Sequence, residues 1–341
     1  MKLKIEYCAV DAITRSLYHK QINSISAKLS RKQVPNHYIS GHYGDPPATL
    51  PQDYLLVLIQ IGRRMWKDIG VVLVLSFLIA IAPIPKSWLL SGKAVSILGI
   101  AVSIFIGFRN TEAINRWWEA RKLWGELVNH SRCWKDNLYT YIDAKEARAS
   151  IKRLVRLQVA MIWQNNFELR NFWHPSDSVV LKQICEQIKL KPGTSVRRMS
   201  EIRALDIQKL HQKAIIDDWG RNQLVQTADN TMVAIGGLQR IRNTPIPPPY
   251  DVFVRLLTWV FGSQLLLAFK HDNSLATGIA LMIGFLFAER IGAYIEGPFD
   301  QDGSSFSMPQ NVICMTITED LLPEEFEHRF SFSSHRPIQW D

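Results

Sequence analysis

The sequence holds no constellation for bond-making chemistry. Its nine histidines include no H-E-x-x-H pair and no Cys/His zinc spacing, and neither a G-x-x-x-x-G-K-[ST] loop nor a G-x-S-x-G elbow occurs. Cys8, Cys133, Cys185 and Cys314 stand far apart with no C-x-x-C spacing, as reduced thiols of a cytosol-facing protein do. No catalytic residue, metal or cofactor is expected, and the chain does not read as an enzyme. What carries spacing is apolar. Ile100, Ile104 and Phe108 fall at i, i+4 and i+8 and share one helix face, which Ile97 extends by a turn. In an all-apolar helix such a stripe is ordinarily a packing face, so spacing alone assigns it no role. Arg255 lies inside an apolar stretch, where charge is costly, and should face a helix bundle or water. Glu289 and Arg290 are expected to pair structurally.

The elements that must position these residues are helices. Four stretches nearly free of charge stand out: Ile69–Ile84, Ala94–Phe108, Val252–Phe269 and Leu275–Ala288. Each is shorter than the roughly 20 residues that cross a bilayer alone, so the helices continue into polar flanks or belong to a soluble core. The flanks favour the membrane. Arg63, Arg64 and Lys67 precede the first stretch, and Arg109, Arg116, Arg121 and Lys122 follow the second, whereas the loops on the other side are short and poor in cations. That asymmetry makes the cation-rich side cytoplasmic, with both termini on it. Trp66, Trp88, Trp117, Trp118 and Tyr250 stand where interfacial aromatics belong.

The net charge of +9 is local. Arg109 to Pro249 carries 23 Lys/Arg against 14 Asp/Glu, and the rest of the chain is balanced. Between membrane segments, such a surplus points to anionic solutes or lipid rather than nucleic acid. This middle region reads as helical at Asn115–Val128, Ala144–Phe172, Val179–Leu190 and Glu201–Ile241, the last with bends expected near Gly220 and Gly236-Gly237. Pro245, Pro247, Pro248 and Pro249 cannot continue a helix and are expected to form an extended linker. The first 50 residues lack the apolar core of a secretory signal and read as an extension.

Three blocks carry a family resemblance: Gly107-Phe108-Arg109-Asn110-Thr111-Glu112-Ala113-Ile114-Asn115-Arg116-Trp117-Trp118, Arg240-Ile241-Arg242-Asn243-Thr244-Pro245-Ile246-Pro247-Pro248-Pro249-Tyr250, and Gly297-Pro298-Phe299-Asp300. In order and spacing they resemble the bestrophin ion channels, closest to the bacterial branch, over roughly Asp53 to Leu322. The resemblance implies an all-α membrane protein: a homopentameric barrel with four transmembrane helices per subunit and a large helical cytosolic region. Its second helix would line a pore whose hydrophobic neck is Ile100, Ile104 and Phe108, excluding water. Gly99 and Gly107 would let neighbouring helices approach closely. Arg116 and Trp117 match the pair that follows the neck, though an interfacial Trp beside a snorkelling Arg reads equally well. Pro245 and Pro247 would lie in the stretch that approaches the neck. Trp219 falls near the family's cytosolic aperture, with an ordinary surface Trp as the alternative. Animal members bind calcium after the N-P-F-G element; here Asp300 and Asp302 remain, but Ser304, Ser305 and Gly297 replace expected ligands, so a calcium site is doubtful.

The expected organisation is an extension (1–52), two transmembrane helices (53–108), a cytosolic helical region (109–249), two further transmembrane helices (250–296) and a cytosolic tail (297–341). The expected function is passive conduction of chloride or other small anions, with self, the bilayer and permeant ions as partners, in a plasma or bacterial inner membrane. A monovalent-cation channel, a non-conducting membrane scaffold or receptor, and a soluble helical binding protein are the alternatives.

Overall fold

The computed structural model describes residues 51–170, 175–299 and 308–326, and secondary structure among them is helical throughout. The order is α1 (Pro51–Ile81), α2 (Gly92–Tyr141), α3 (Ala144–Arg170), α4 (Pro175–Gln187), α5 (Val196–Gln212), α6 (Asp218–Asn243), α7 (Pro248–His271), α8 (Leu275–Ile295), α9 (Gln310–Leu321) and α10 (Pro323–Phe326), with a short 3-10 turn at Lys86–Trp88. The expected 1–52 extension, the calcium-loop positions Asp300, Asp302, Ser304 and Ser305, and Cys8 lie outside the described residues, Pro51 and Gln52 excepted.

The 50-residue α2 organises the molecule. Ser91 starts it by accepting a hydrogen bond from the Ala94 amide at 3.3 Å. No proline interrupts it, and it runs about 75 Å at 1.5 Å per residue. Its buried residues recur at intervals of three, four or, once, seven positions, from Val102, Ile106, Arg109 and Ala113 to Leu127, Ser131, Trp134 and Leu138. One packing face therefore survives the change from apolar to charged sequence at Arg109. The apolar stretch ending at Phe108 thus continues into its polar flank, one of the two alternatives open for it, and forms one rod with the helical stretch expected at Asn115–Val128.

Along the first part of that rod lies an apolar layer. Val102 and Ile106 pack with Val254, Phe261 and Leu265 of α7, while Met65, Val72 and Ile79 of α1 pack with Leu266 and Met282 of α7 and α8. Among the described residues three helices, α2, α7 and α8, are long and apolar enough to cross a membrane by length and composition. The uncharged part of α1, Ile69–Ile81, directly follows Arg63, Arg64, Lys67 and Asp68, so α1 falls short by that measure, yet it packs in the same layer and exposes Val71, Val74, Phe77 and Leu78. The second, larger core surrounds the rest of α2 and buries Trp124, Trp134, Leu154, Trp163, Ile184, Met199, Leu238 and Cys314.

Within that core α6 runs antiparallel to α2. A Cβ on Gly220 would lie 3.1 Å from Tyr141, and one on Gly237 2.9 Å from the Leu123 side chain. The long run expected over Glu201–Ile241 is two helices, divided at 213–217, where Ala214 takes φ 52° and Asp217 caps α6 through the Gly220 amide at 2.7 Å. Helix α6 continues through Gly236-Gly237, so the bend lies at neither that pair nor Gly220. Pro248 and Pro249 open α7 instead of forming a linker, because the first helical positions need no amide donor. Only 244–247 joins α6 to α7.

Candidate functional site

On α2 the face opposite the packed one is bare. Ile97, Ile100, Ile104 and Phe108 are 69, 63, 50 and 63 % exposed, whereas Val102 and Ile106 between them are buried. A Cβ on Gly99 would meet the Phe261 ring at 3.0 Å, so that glycine does seat α7 close to α2. Gly107 has open space around it within the chain, so no described helix of the same chain packs against it. The hydroxyls of Ser96 and Ser103 donate back to the Gly92 and Gly99 carbonyls at 2.9 and 2.8 Å, leaving them no free donor on the bare face.

One turn after Ile104 the rod meets a charged junction. The Arg109 guanidinium, 1 % exposed, pairs with Asp251 at the start of α7, lies 3.7 Å from Glu296 and donates to the Glu289 carbonyl of α8 at 3.0 Å. Asn110 donates to the Ala288 carbonyl at 2.9 Å. Gly292 makes room for this contact, since a Cβ there would fall 2.1 Å from the Asn110 side-chain oxygen. Sequence reasoning misses both Arg109 and Asn110 as supports: a cation just past an apolar stretch reads as an interfacial flank, and only the folded partners reveal its burial.

Arg116 is half-buried and turns away from the bare face. It donates to the carbonyls of Glu296 at 3.0 Å, Thr244 at 2.5 Å and Ile241, which are orphan acceptors at helix ends. Trp117 packs against the larger core and meets Trp118 edge-on at 5.3 Å. Between Pro245 and Pro247 the Ile246 amide donates to the Glu296 carboxylate at 3.0 Å, and the Tyr250 hydroxyl reaches the Phe105 carbonyl at 3.3 Å. The proline segment is thereby tied to α8, and the start of α7 to the part of α2 that carries Ile104 and Phe108. Trp219 stands apart from all of these. It is 64 % exposed at the start of α6, next to Gly220, whose neighbour Tyr141 lies about 50 Å along α2 from Phe108.

The pairing expected between Glu289 and Arg290 is present at 3.6 Å, but it is not the closest ion pair that Arg290 makes. Arg290 also makes a two-point bond to Asp68 of α1 at 2.8 and 2.9 Å. Asp68 is the closer partner because its carboxylate meets the guanidinium fork with both oxygens. Arg255 also reaches Asp68, at 3.6 Å.

In the larger core many cations are already neutralised, as in Arg153–Asp206 at 2.8 Å, Arg156–Glu325 at 2.6 Å and Arg132–Asp320 at 2.7 Å. Arg203 is buried outright, donating to Gln158 and the Ala228 carbonyl at 2.8 and 2.9 Å and lying over the Trp134 ring. Burial pulls its pKa down to about 10, opposed by Asp229, so the guanidinium remains charged at neutral pH. Much of the basic surplus is therefore structural.

Comparison with known proteins gives the chain a family and a fold. The family model described as "Bacterial/Fungal Bestrophin protein" matches residues 53–323. The "Voltage-dependent anion channel-forming protein" of Ralstonia nicotianae is 26 % identical over 247 residues, 69 % of this chain and 78 % of that one. The like-named YneE of Escherichia coli K12 is 29 % identical over 233 residues, 67 % of this chain and 74 % of its own. Among solved structures, a point mutant of a bacterial bestrophin homolog from Klebsiella pneumoniae superposes with a TM-score of 0.64 at 22 % identity, covering 76 % of this chain and 98 % of that one. A second mutant of that protein gives 0.66 at 25 % identity, with 76 and 97 % covered.

Proposed function

Because the chain belongs to the bacterial and fungal bestrophin family, we propose that it is one subunit of an anion channel in which α2 lines a central pore. The relatives named as anion channel-forming proteins support this reading, and it makes the protein a membrane channel subunit and not an enzyme. The carrying observation is the bare stripe of Ile97, Ile100, Ile104 and Phe108 on a helix whose opposite face is packed. A run of large apolar side chains over several helical turns does not stay in water on a lone subunit. Around a symmetry axis such side chains enclose a narrow, dewetting neck.

In this reading five copies assemble, and the cation-rich flanks put the larger core and both termini in the cytoplasm. Ions pass the neck of Ile100, Ile104 and Phe108, cross a vestibule beside α2 and α6, and leave past Trp219. Arg116, Trp117, Pro245 and Pro247 hold the wall behind the neck. Calcium is not required, since the Asp300–Ser307 loop lacks most of the expected oxygen ligands.

The test is ion flux through purified protein in liposomes. Under a KCl gradient the reversal potential should lie on the chloride side of zero. A potential on the potassium side moves the reading to the cation channel, and intact oligomers without flux move it to the scaffold.

A further inference from the structure

Beyond the neck an ion meets charged side chains, and the structure singles out one of them. Arg109, Glu112, Arg116 and Glu119 are the charged residues in the three turns of α2 after Phe108. Three of them are tied to other helices: Arg109 to Asp251, Arg116 to the carbonyls around Thr244, and Glu119 to Arg240 of α6. Glu112 is exposed and makes no hydrogen bond or ion pair among the described residues. It follows Phe108 at i+4, continuing the progression of Ile100, Ile104 and Phe108, on the side of the helix that α7 and α8 leave uncovered.

Depth and charge agree on where that carboxylate points. Glu112 lies 20 residues into α2, so about 30 Å from its start, the thickness of the hydrocarbon core. A charge at that boundary does not face acyl chains when a watery side is available. The bare face that continues the neck is that side.

We infer that Glu112 is a charge-selectivity determinant: repeated around the symmetry axis, its carboxylates form an acidic ring at the inner exit of the neck that favours cations and so limits the anion preference of the pore. This rests on the pore reading of α2. Rings of carboxylates attract cations and repel anions in a confined passage, and a ring potential of about one kT alters the ratio of the two several-fold. The basic surplus does not cancel it locally, because the nearest cations, Arg109 and Arg116, are engaged behind the helix.

The experiment is the reversal potential of the full-length wild type, Glu112→Gln, Glu112→Lys and Glu112→Asp channels under one KCl gradient. Glu112→Gln should raise the chloride-to-potassium permeability ratio by about threefold or more. Glu112→Lys should raise it further, and Glu112→Asp should stay near wild type. Unchanged reversal potentials in conducting Gln and Lys variants overturn the proposal. Ile104→Ala separates that failure from a failure of the channel reading. If it alters conductance while the Glu112 variants leave selectivity unmoved, α2 lines the pore and Glu112 does not face it. If it too leaves single-channel currents unaltered, α2 does not line the pore and both readings fall.

Discussion

Arg109 shows how one residue can hold the neck in place without touching an ion. Its buried guanidinium joins α2, α7 and α8 through Asp251, Glu296 and the Glu289 carbonyl, with the two carboxylates partly open to water. A half-exposed pair of this kind contributes little by itself, but removing the arginine leaves the Glu289 carbonyl and two carboxylates without their cationic donor. Arg109→Met should therefore destabilise the protein by about 1–3 kcal/mol, read as a lower melting temperature of the detergent-solubilised protein by tryptophan fluorescence. An unchanged melting temperature would mean that the junction contributes no stability. The cysteines give a second prediction at this scale. Burial pushes the Cys185 thiol up to about 11, so at pH 8 it stays a protonated, enclosed thiol, while Cys133 is exposed. Alkylation of the native protein at pH 8, followed by mass spectrometry, should modify Cys133 and spare Cys185 until denaturant is added. Early modification of Cys185 would show that α4 opens readily.

Among the elements, the glycines of α6 and α8 separate close packing from mere helix weakening. A Cβ on Gly236 would have no atom within 4 Å, while one on Gly292 would have the Asn110 oxygen at 2.1 Å. Gly236→Ala should be neutral or stabilise by up to about 1 kcal/mol, since alanine is the better helix former. Gly292→Ala should destabilise, because Asn110 must give up the Ala288 carbonyl or α8 must move away from α2. Equal melting temperatures for the two variants would remove the close-approach argument. Patterning makes the apolar segments legible in the sequence, since bilayer-scale hydropathy leaves a signal that survives local irregularity. It does not reveal that α2 is continuous, because composition changes at Arg109 while the buried register does not. The proline run misleads in a similar way: it reads as an extended linker throughout, and Pro248 and Pro249 are instead the first turn of a helix. Helix α9 is hard to read because its buried residues, Gln310 and Thr318 among them, include polar groups that mimic a solvated tail. Of the candidate site, the stripe at Ile100, Ile104 and Phe108 is readable from spacing. The Asp68–Arg290 and Arg109–Asp251 partnerships are not, since each joins residues more than a hundred positions apart.

For the whole molecule, the length of α2 makes the pathway a series of separate resistances. Phe108 and the Tyr141 end, where Trp219 stands, are about 50 Å apart along the rod. Sites so distant share no packing neighbours, and their substitutions should act independently. Ile104→Ala widens the neck and should alter single-channel conductance; Trp219→Ala removes the exposed indole and should enlarge the current if it narrows the exit. For constrictions in series, resistances add and conductances do not. The double variant should therefore lower resistance by the sum of the two single reductions, measured in the same bilayer under symmetrical salt. A double variant no better than Ile104→Ala, with Trp219→Ala silent, would place Trp219 outside the ion path and leave the neck as the controlling resistance. A strongly non-additive result would mean that the two ends are mechanically coupled through α2 and α6, which pack side by side from Leu123 and Gly237 to Tyr141 and Gly220. Additive resistances are the expected outcome, because the rod between the two sites is buried along one continuous face and has no hinge at which such coupling could arise.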